Sequence, residues 1–251
     1  MNHHFWLDLA PRGAAEQMAI DTAMVAVAEC DGIALLRLYR WLEDTVSFGA
    51  NESALRHWDR DRLEADGVAT VRRPTGGRAV WHDAADLTYA WAGPASDPAE
   101  VRRIYRDLHE RLAVAIADCD GEVALATGHG APGLGPGACF DVPVGGEVLV
   151  DGRKAIGSAQ RVYGKHLLQH GAIAVRDRQG QLHRYRLGPD APAGIGNEVV
   201  LPDAEALAAT IAAAWQRGGA APVDPALPSR IVLASVEYRS RYQDRSWTWR
   251  R

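Results

Sequence analysis

Cys139 and Lys154 are the two side chains of this sequence with the clearest capacity for covalent chemistry. Cys139 precedes Lys154 by fifteen residues and lies in a segment dense in Gly and Pro. A thiol has a pKa of about 8.5 and becomes a nucleophilic thiolate when a cation lies near it. Only Lys154 and Lys165 are lysines among 28 basic residues, which favours a role for Lys154 that the broad guanidinium of arginine cannot fill. The alternatives are an unreactive loop thiol and a solvated edge-strand lysine.

Two other clusters have the composition of a ligand site. In RRPTGGRAVWHD at 72–83, Gly76 and Gly77 let backbone N–H groups approach a ligand closely, while arginine and threonine side chains can bind an anion or a carbonyl. In GRKAIGSAQ at 152–160, the small residues at 157–159 leave room on a strand for a slender ligand beside Lys154. The alternative for the first cluster is a tight turn with solvated arginines.

The elements that must position these clusters follow from the hydrophobic periodicity. Helical spacing predicts helices over 14–30, 53–65, 98–119 and 203–216. Strand patterns occur at 34–40, 45–48, 68–73, 86–92, 147–150, 153–159 and 166–176, with a loop over 127–146 and a hairpin around 178–188. Helices and hairpins alternate without a regular strand–helix–strand rhythm, which predicts a mixed α/β (α+β) fold instead of a doubly wound parallel sheet. We expect one domain over 1–251, with 222–251 as a C-terminal extension too short to fold independently.

Composition limits the possible partners. The chain has 251 residues, 47% apolar and 24% charged, which is typical of an ordinary globular protein. A net charge of −4 gives no electrostatic reason to expect nucleic acid or an anionic membrane as a partner. No window approaches ~18 uninterrupted apolar residues, and the first residues lack the pattern of a signal peptide. Three cysteines are better interpreted as reduced thiols in the cytoplasm than as a disulfide framework, and no HExxH or CxxC pattern predicts a metal site.

Together these motifs resemble the biotin/lipoate A/B protein ligase superfamily. The resemblance is carried by RRPTGGRAVWHD at 72–83, LTY at 87–89, GRKAIGSAQ at 152–160 and LQHG at 168–171, with MAID at 18–21 and WTWRR at 247–251. It covers residues 5–175 well and implies a central mixed β-sheet flanked by helices, with a lipoyl or octanoyl chain in a slot beside the Gly-rich turn. The residues expected to bind this substrate are Arg73, Thr75, Gly76, Gly77, Arg78, Ala79, Val80, His82, Gly157, Ser158, Ala159 and His170. For His82, orienting a carbonyl and satisfying a core hydrogen bond both remain open.

Within the superfamily, the sequence is most similar to the LipM-type octanoyl-carrier:protein octanoyltransferases. In that group a cysteine at the spacing of Cys139 from Lys154 carries the acyl group. ATP-dependent lipoate ligases typically have a third glycine where Arg78 stands, and an Asn-Asp pair where this chain has Gly146 and Glu147. The resemblance therefore implies that Cys139 and Lys154 are catalytic.

The same resemblance implies partners and cofactors. Octanoyl-acyl carrier protein or an octanoylated H protein would donate the acyl group, and a lipoyl domain or H protein would accept it. No cofactor is required, because transfer from a thioester to an amide is downhill. The alternative is an ATP-dependent lipoate–protein ligase, which would use ATP and Mg²⁺ to form a lipoyl-adenylate. A lesser alternative is a non-catalytic subunit that binds the acyl chain or the lipoyl domain.

Overall fold

A six-stranded β-sheet with helices on both faces forms the centre of the computed structural model, which describes residues 2–118, 122–127, 145–175, 178–188 and 201–250. The strands are β1 Asn2–Arg12, β2 Ile33–Trp41, β3 Thr45–Phe48, β4 Ala69–Arg72, β5 Val80–His82, β6 Leu87–Pro94, β7 Val123–Leu125, β8 Val148–Val150, β9 Arg153–Lys154, β10 Ile156–Tyr163, β11 His166–Ile173 and β12 Ala221–Pro222. The helices are α1 Ala14–Asp31, α2 Ala54–His57, α3 Arg60–Ala65, α4 Pro98–Ala117, α5 Ala204–Arg217, α6 Ala226–Gln243 and α7 Arg245–Thr248, with a 3-10 helix at Gln179–Tyr185.

The central sheet is mixed, as predicted. Its strand order is β10-β11-β6-β2-β1-β12. Strands β10, β11, β6 and β2 are antiparallel to their neighbours, whereas β2, β1 and β12 run parallel. Two smaller sheets, β4-β3-β5 and β7-β8-β9, flank it. The predicted fold class is therefore confirmed.

The two faces of the central sheet pack against different helices. Successive residues of a strand point to opposite faces, so each face collects alternate side chains. Leu35 and Ala92 pack in the apolar cluster that contains α1 and α6, and we call this side the α1 face. Leu36 and Trp91 pack in the cluster that contains α4 and α5, and we call this side the α4 face.

Helix α4 and the β8–β9 turn form as the sequence predicts. The Asp97 carboxylate caps α4 by accepting hydrogen bonds from the backbone N–H groups of Ala99 at 2.8 Å and Glu100 at 3.0 Å. Between β8 and β9, Asp151 and Gly152 both have positive φ, 50° and 74°, which a two-residue hairpin turn of type I′ requires.

Two predicted elements are wrong. The helix predicted over 53–65 is divided into α2 and α3, because Trp58 adopts an extended conformation to bridge Arg186 and the Asp59 side chain then caps a new helix. The hairpin predicted around 178–188 is the 3-10 helix instead. Its buried Leu182 and Tyr185 are three residues apart, which matches the three residues per turn of a 3-10 helix.

Strand β1 and helix α6 were not predicted. The Pro-rich stretch 222–228, at the start of the predicted C-terminal extension, includes the first turn of α6, where proline is tolerated because those N–H groups have no partner within the helix. Ile231 and Tyr242 of α6 pack in the cluster that contains α1, and the Tyr242 hydroxyl lies 2.7 Å from Thr22 Oγ1. The single-domain organisation stays a prediction. Within the described ranges, no helix has the length and apolarity to cross a membrane.

Candidate active site

An apolar cavity lies on the α1 face, between the central sheet, α1 and the Gly-rich turn. Eight of the predicted substrate-binding residues border it: Arg73, Gly77, Val80, His82, Gly157, Ser158, Ala159 and His170. Thr75, Gly76, Arg78 and Ala79 do not border it. The structure therefore brings the two distant motifs together around one cavity.

Lys154 lies at the end of β9 and does not border this cavity. Its side chain is buried, and Nζ forms an ion pair of 2.8 Å with Glu147 Oε1. Glu147 occupies one of the two positions at which the resemblance leads us to expect an Asn-Asp pair in an ATP-dependent ligase. A buried ion pair of this kind holds a positive charge in a fixed place out of water. Cys139 lies outside the described residues, so its pairing with Lys154 stays a prediction.

Arg73 holds the Gly-rich turn in place. Its guanidinium donates to the backbone oxygens of Ser47, Gly76 and Arg78 and to Ser47 Oγ, at 2.7 to 3.2 Å. These contacts use all five N–H groups of the side chain. Gly77 has φ +95°, and a Cβ there would lie 2.7 Å from Arg73 Nη2, so the turn requires glycine. The buried arginine thus shapes the cavity wall in place of the solvated arginine that was the alternative.

His170 is held by a buried carboxylate. Its Nδ1 lies 2.9 Å from Asp21 Oδ2 of α1, and its Nε2 lies 2.6 Å from Thr75 Oγ1. Asp21 also accepts hydrogen bonds from Arg37 and from the Tyr39 hydroxyl. Thr75 therefore does not border the cavity itself but forms a hydrogen bond with His170, which does. Asp21 connects α1 to the same histidine.

His82 sits at the other side of the cavity. Its Nε2 lies 2.8 Å from Ser47 Oγ, and its ring stacks on Trp41 with centroids 4.3 Å apart. Burial, followed by the charge of Arg73, lowers the pKa of His82 well below its usual value, so the ring is neutral near pH 7. Its Nδ1 is buried and has no hydrogen-bond partner in the part of the chain that the structure describes.

Ser158 borders the cavity, but its hydroxyl belongs to the α4 face. Ser158 Oγ lies 2.6 Å from the Tyr89 hydroxyl and 2.8 Å from His109 Nε2. His109 Nδ1 lies 2.7 Å from the carbonyl oxygen of Gly146, and Gln169 Nε2 donates to the Tyr89 hydroxyl. Burial lowers the pKa of His109 to about 4. The room predicted at 157–159 is thus supplied by Gly157 and Ala159, which point to the opposite face.

Other cavity residues were missed from the sequence: Met18, Tyr39, Trp41, Ser47, Thr88, Gly171 and Ala172. Ser47 pairs with Val80 across β3 and β5, beside the predicted Gly-rich turn. This pairing could have pointed to Ser47, but the register of two strands cannot be predicted from local sequence. No cluster of three or more His, Cys, Asp or Glu side chains that could hold a metal ion occurs within the described ranges.

Comparison with solved structures defines the fold class. The chain is similar to a lipoate-protein ligase A bound with ATP, with a TM-score of 0.77 and 17% identity over 99% of both chains. It is also similar to a bi-partite lipoate protein ligase from Thermoplasma acidophilum, with a TM-score of 0.74 and 18% identity over 99% of this chain and 96% of the other. At these identities the likeness shows a shared fold.

Sequence comparison then defines the family. Residues 13–198 match the family model of the lipoyl protein ligase A/B catalytic domain, and this chain belongs to that family. It is 37% identical over 183 residues to Octanoyltransferase LipM of Carboxydothermus hydrogenoformans, covering 71% of this chain and 67% of the relative. It is 40% identical over 176 residues to Octanoyltransferase LipM of an Exiguobacterium species, covering 63% of this chain and 61% of the relative. The matched segments thus span about two thirds of those relatives.

Proposed function

We propose that this protein transfers octanoyl groups from a carrier-protein thioester to a lysine of a lipoyl-accepting protein. The observation that carries the proposal is the apolar cavity on the α1 face, bordered by Gly157 and Ala159 on the strand that follows Lys154. An apolar cavity of this kind suits a fatty-acyl chain, which has no polar group beyond its carbonyl. The relatives named octanoyltransferase, at 37% and 40% identity, support this reaction.

The proposed chemistry has two acyl-transfer steps. The Cys139 thiolate attacks the thioester carbonyl, a new C–S bond forms, and the carrier thiol leaves. The ε-amine of the acceptor lysine then attacks the Cys139 thioester, releasing the thiol and forming an amide. Lys154, fixed by Glu147, is the cation that we propose to stabilise the thiolate and the developing oxyanion.

The donor, the acceptor and the cofactor requirement are part of the same proposal. Octanoyl-acyl carrier protein or an octanoylated H protein is the proposed donor, and a lipoyl domain or H protein is the proposed acceptor. No nucleic acid, membrane or cofactor takes part in this scheme. ATP and Mg²⁺ would be needed only if the protein is a ligase. A cytoplasmic location stays a prediction from the cysteine content.

An assay with and without ATP tests the proposal. Octanoyl-acyl carrier protein and a lipoyl domain are incubated with the wild type, Cys139→Ala and Cys30→Ala, and the proteins are weighed by mass spectrometry. Cys30 is an exposed free cysteine and provides the matched control. We expect transfer without ATP and an octanoyl adduct on Cys139 in the wild type and Cys30→Ala, and neither in Cys139→Ala.

Two results would contradict the proposal and support a different function. Transfer of free octanoate or lipoate that requires ATP and survives Cys139→Ala would indicate the ligase. Binding of the acyl chain or the lipoyl domain without turnover under either condition would indicate the non-catalytic subunit.

A further inference from the structure

The segment 247–250 belongs to the motifs of the resemblance, yet none of its residues borders the cavity. Arg72, which ends β4 and is completely buried, donates from Nε to the backbone oxygens of Trp247 and Thr248, both at 3.0 Å. Its Nη2 donates to the backbone oxygen of Arg250 at 2.9 Å. The Trp247 indole donates to the Arg72 carbonyl at 3.2 Å. Arg72 thus joins the strand that leads into the Gly-rich turn to this segment.

The same guanidinium binds the loop that follows β3, residues 49–52, which we call the β3 loop. Arg72 Nη1 donates to the backbone oxygens of Gly49 at 2.6 Å and Glu52 at 2.8 Å. A planar guanidinium presents its N–H donors in a fixed fork, so one side chain can bind two chain segments at once. A lysine in its place would have the charge without this geometry. Arg72 therefore fixes the β3 loop relative to the segment 247–250.

The β3 loop in turn supports the Gly-rich turn at two points. The backbone N–H of Ala50 donates to the backbone oxygen of Thr75 at 2.8 Å. A Cβ at Gly49 would lie 1.8 Å from the backbone oxygen of Gly77, so the two backbones are in direct contact there. Gly77 borders the cavity. The β3 loop therefore connects Arg72 to the cavity wall.

We propose that Arg72 and the segment 247–250 are positioning residues for the Gly-rich turn and keep it in the arrangement that binds the acyl chain. Arg73 holds backbone oxygens of the turn itself, whereas Arg72 acts through the β3 loop. Loss of this support should raise KM more than it lowers kcat, because the contacts end at the wall of the cavity. The inference rests on the proposed function, which places an acyl chain in this cavity.

Arg250 and Arg241 provide a matched pair of variants for the kinetics of octanoyl transfer. Both guanidinium groups stack on the Trp247 ring, with their carbons 3.7 and 3.8 Å from its centroid. Arg250 also donates to the backbone oxygen of Ala50 in the β3 loop. We expect Arg250→Ala to raise KM for octanoyl-acyl carrier protein about fivefold, which corresponds to one hydrogen bond, with kcat unchanged. Arg241→Ala should change neither parameter, and an equal rise of KM in both variants would overturn the inference.

Hydrogen–deuterium exchange measures the position of the turn without substrate. In Arg72→Lys the ammonium group cannot bind the β3 loop and the segment 247–250 together. Peptides that cover the β3 loop and residues 74–78 should therefore exchange at least about fivefold faster, the equivalent of one lost hydrogen bond, while those of α4 exchange as in the wild type. Leu112→Ala creates a cavity under α4 and should give the reverse pattern.

The outcomes separate this inference from the proposed function. Turn peptides that exchange no faster in Arg72→Lys and Arg250→Ala overturn the inference, and so does faster exchange with an unchanged KM. If Arg72→Lys accelerates α4 equally, its whole fold is loosened, and Arg250→Ala decides alone because Arg250 is partly exposed. A wild type that transfers no octanoyl group, with turn peptides that still respond to both variants, overturns the proposed function while the positioning of the turn stands.

Discussion

The two faces of the central sheet use the same three residues, 157–159, in opposite ways. On the α1 face, Gly157 and Ala159 present almost no side chain, and the cavity opens above them. On the α4 face, the Ser158 hydroxyl is enclosed by Tyr89 and His109 in a hydrogen-bonded network. One face of β10 thus borders a cavity, while the other is packed against side chains.

This difference indicates that the two faces of β10 have different roles. A buried polar network that is fully satisfied favours one arrangement of its strands and helices. A binding cavity depends on walls whose positions are fixed by such supporting contacts. We therefore interpret the His109–Ser158–Tyr89 network as the support that holds β10 so that the opposite face can remain open. Changes on the α4 face should then affect stability, and changes on the α1 face should affect acyl transfer.

The largest expected effect is that of Gly171→Ala, which tests the close packing of β11 against β10 and Tyr89. A Cβ at 171 would collide with Ser158 Oγ and Tyr89, and would lie 2.8 Å from the backbone oxygen of Gly157. Because that backbone atom cannot move independently, we expect a loss of about 3 kcal/mol in the free energy of unfolding. Urea denaturation measures this loss. Gly180→Ala, where a Cβ meets nothing within 4 Å, is the control, and equal stability of the two variants would contradict the packing described.

Ala159→Leu tests the α1 face alone. The larger side chain occupies cavity space, and we expect kcat/KM for octanoyl transfer to fall about 5- to 150-fold, from an overpacking cost of about 1 to 3 kcal/mol. Val162→Leu, at an exposed position of the same strand, should leave transfer unchanged. Unchanged transfer in Ala159→Leu would mean that the acyl chain binds elsewhere.

The pH dependence of stability tests the α4 face. Burial holds the pKa of His109 at about 4 in the folded state, below the usual 6.5. The unfolded chain takes up a proton as the pH falls through 6.5, and the folded chain does so only near 4, so stability falls between these values. This histidine should account for a loss of about 2 kcal/mol between pH 7 and pH 5. His109→Gln keeps the hydrogen-bonding groups without titration and should lose less stability over the same range.

The smallest expected effect is that of Ser158→Ala. Removing the hydroxyl leaves the Tyr89 and His109 groups with one fewer partner each, and should cost about 1 kcal/mol of unfolding free energy. KM for the octanoyl donor should not change, because the hydroxyl faces α4. A large rise in KM with unchanged stability would show that Ser158 contacts the substrate directly.

Local features of the molecule were predictable, and long-range ones were not. The cap of α4 by Asp97 and the turn at Asp151 and Gly152 follow from residue preferences within a few positions. The motifs at 72–83 and 152–160 could be singled out from the sequence, and seven of their residues, together with His170, border one cavity. The distribution of side chains between the faces could not be predicted, because it depends on sheet register.

The structural contacts of buried polar residues could not be predicted from the sequence either. Arg73 was interpreted as a ligand-binding group, yet its five N–H groups bind the protein itself. Asp21 lies in a motif that the sequence indicated, but its contact with His170 joins positions 149 residues apart. Such contacts depend on the tertiary packing of α1 against the sheet, which local periodicity does not specify.

The most direct test of the account is the site at which a bound acyl chain can be crosslinked. An octanoyl-pantetheine analogue with a diazirine at the chain end is irradiated with the wild-type protein, and the labelled peptides are mapped by mass spectrometry. We expect labelling of residues that border the cavity on the α1 face, such as Met18 and Tyr39, and the loss of this labelling in Ala159→Leu. Labelling of Tyr89 or His109 on the α4 face would contradict it.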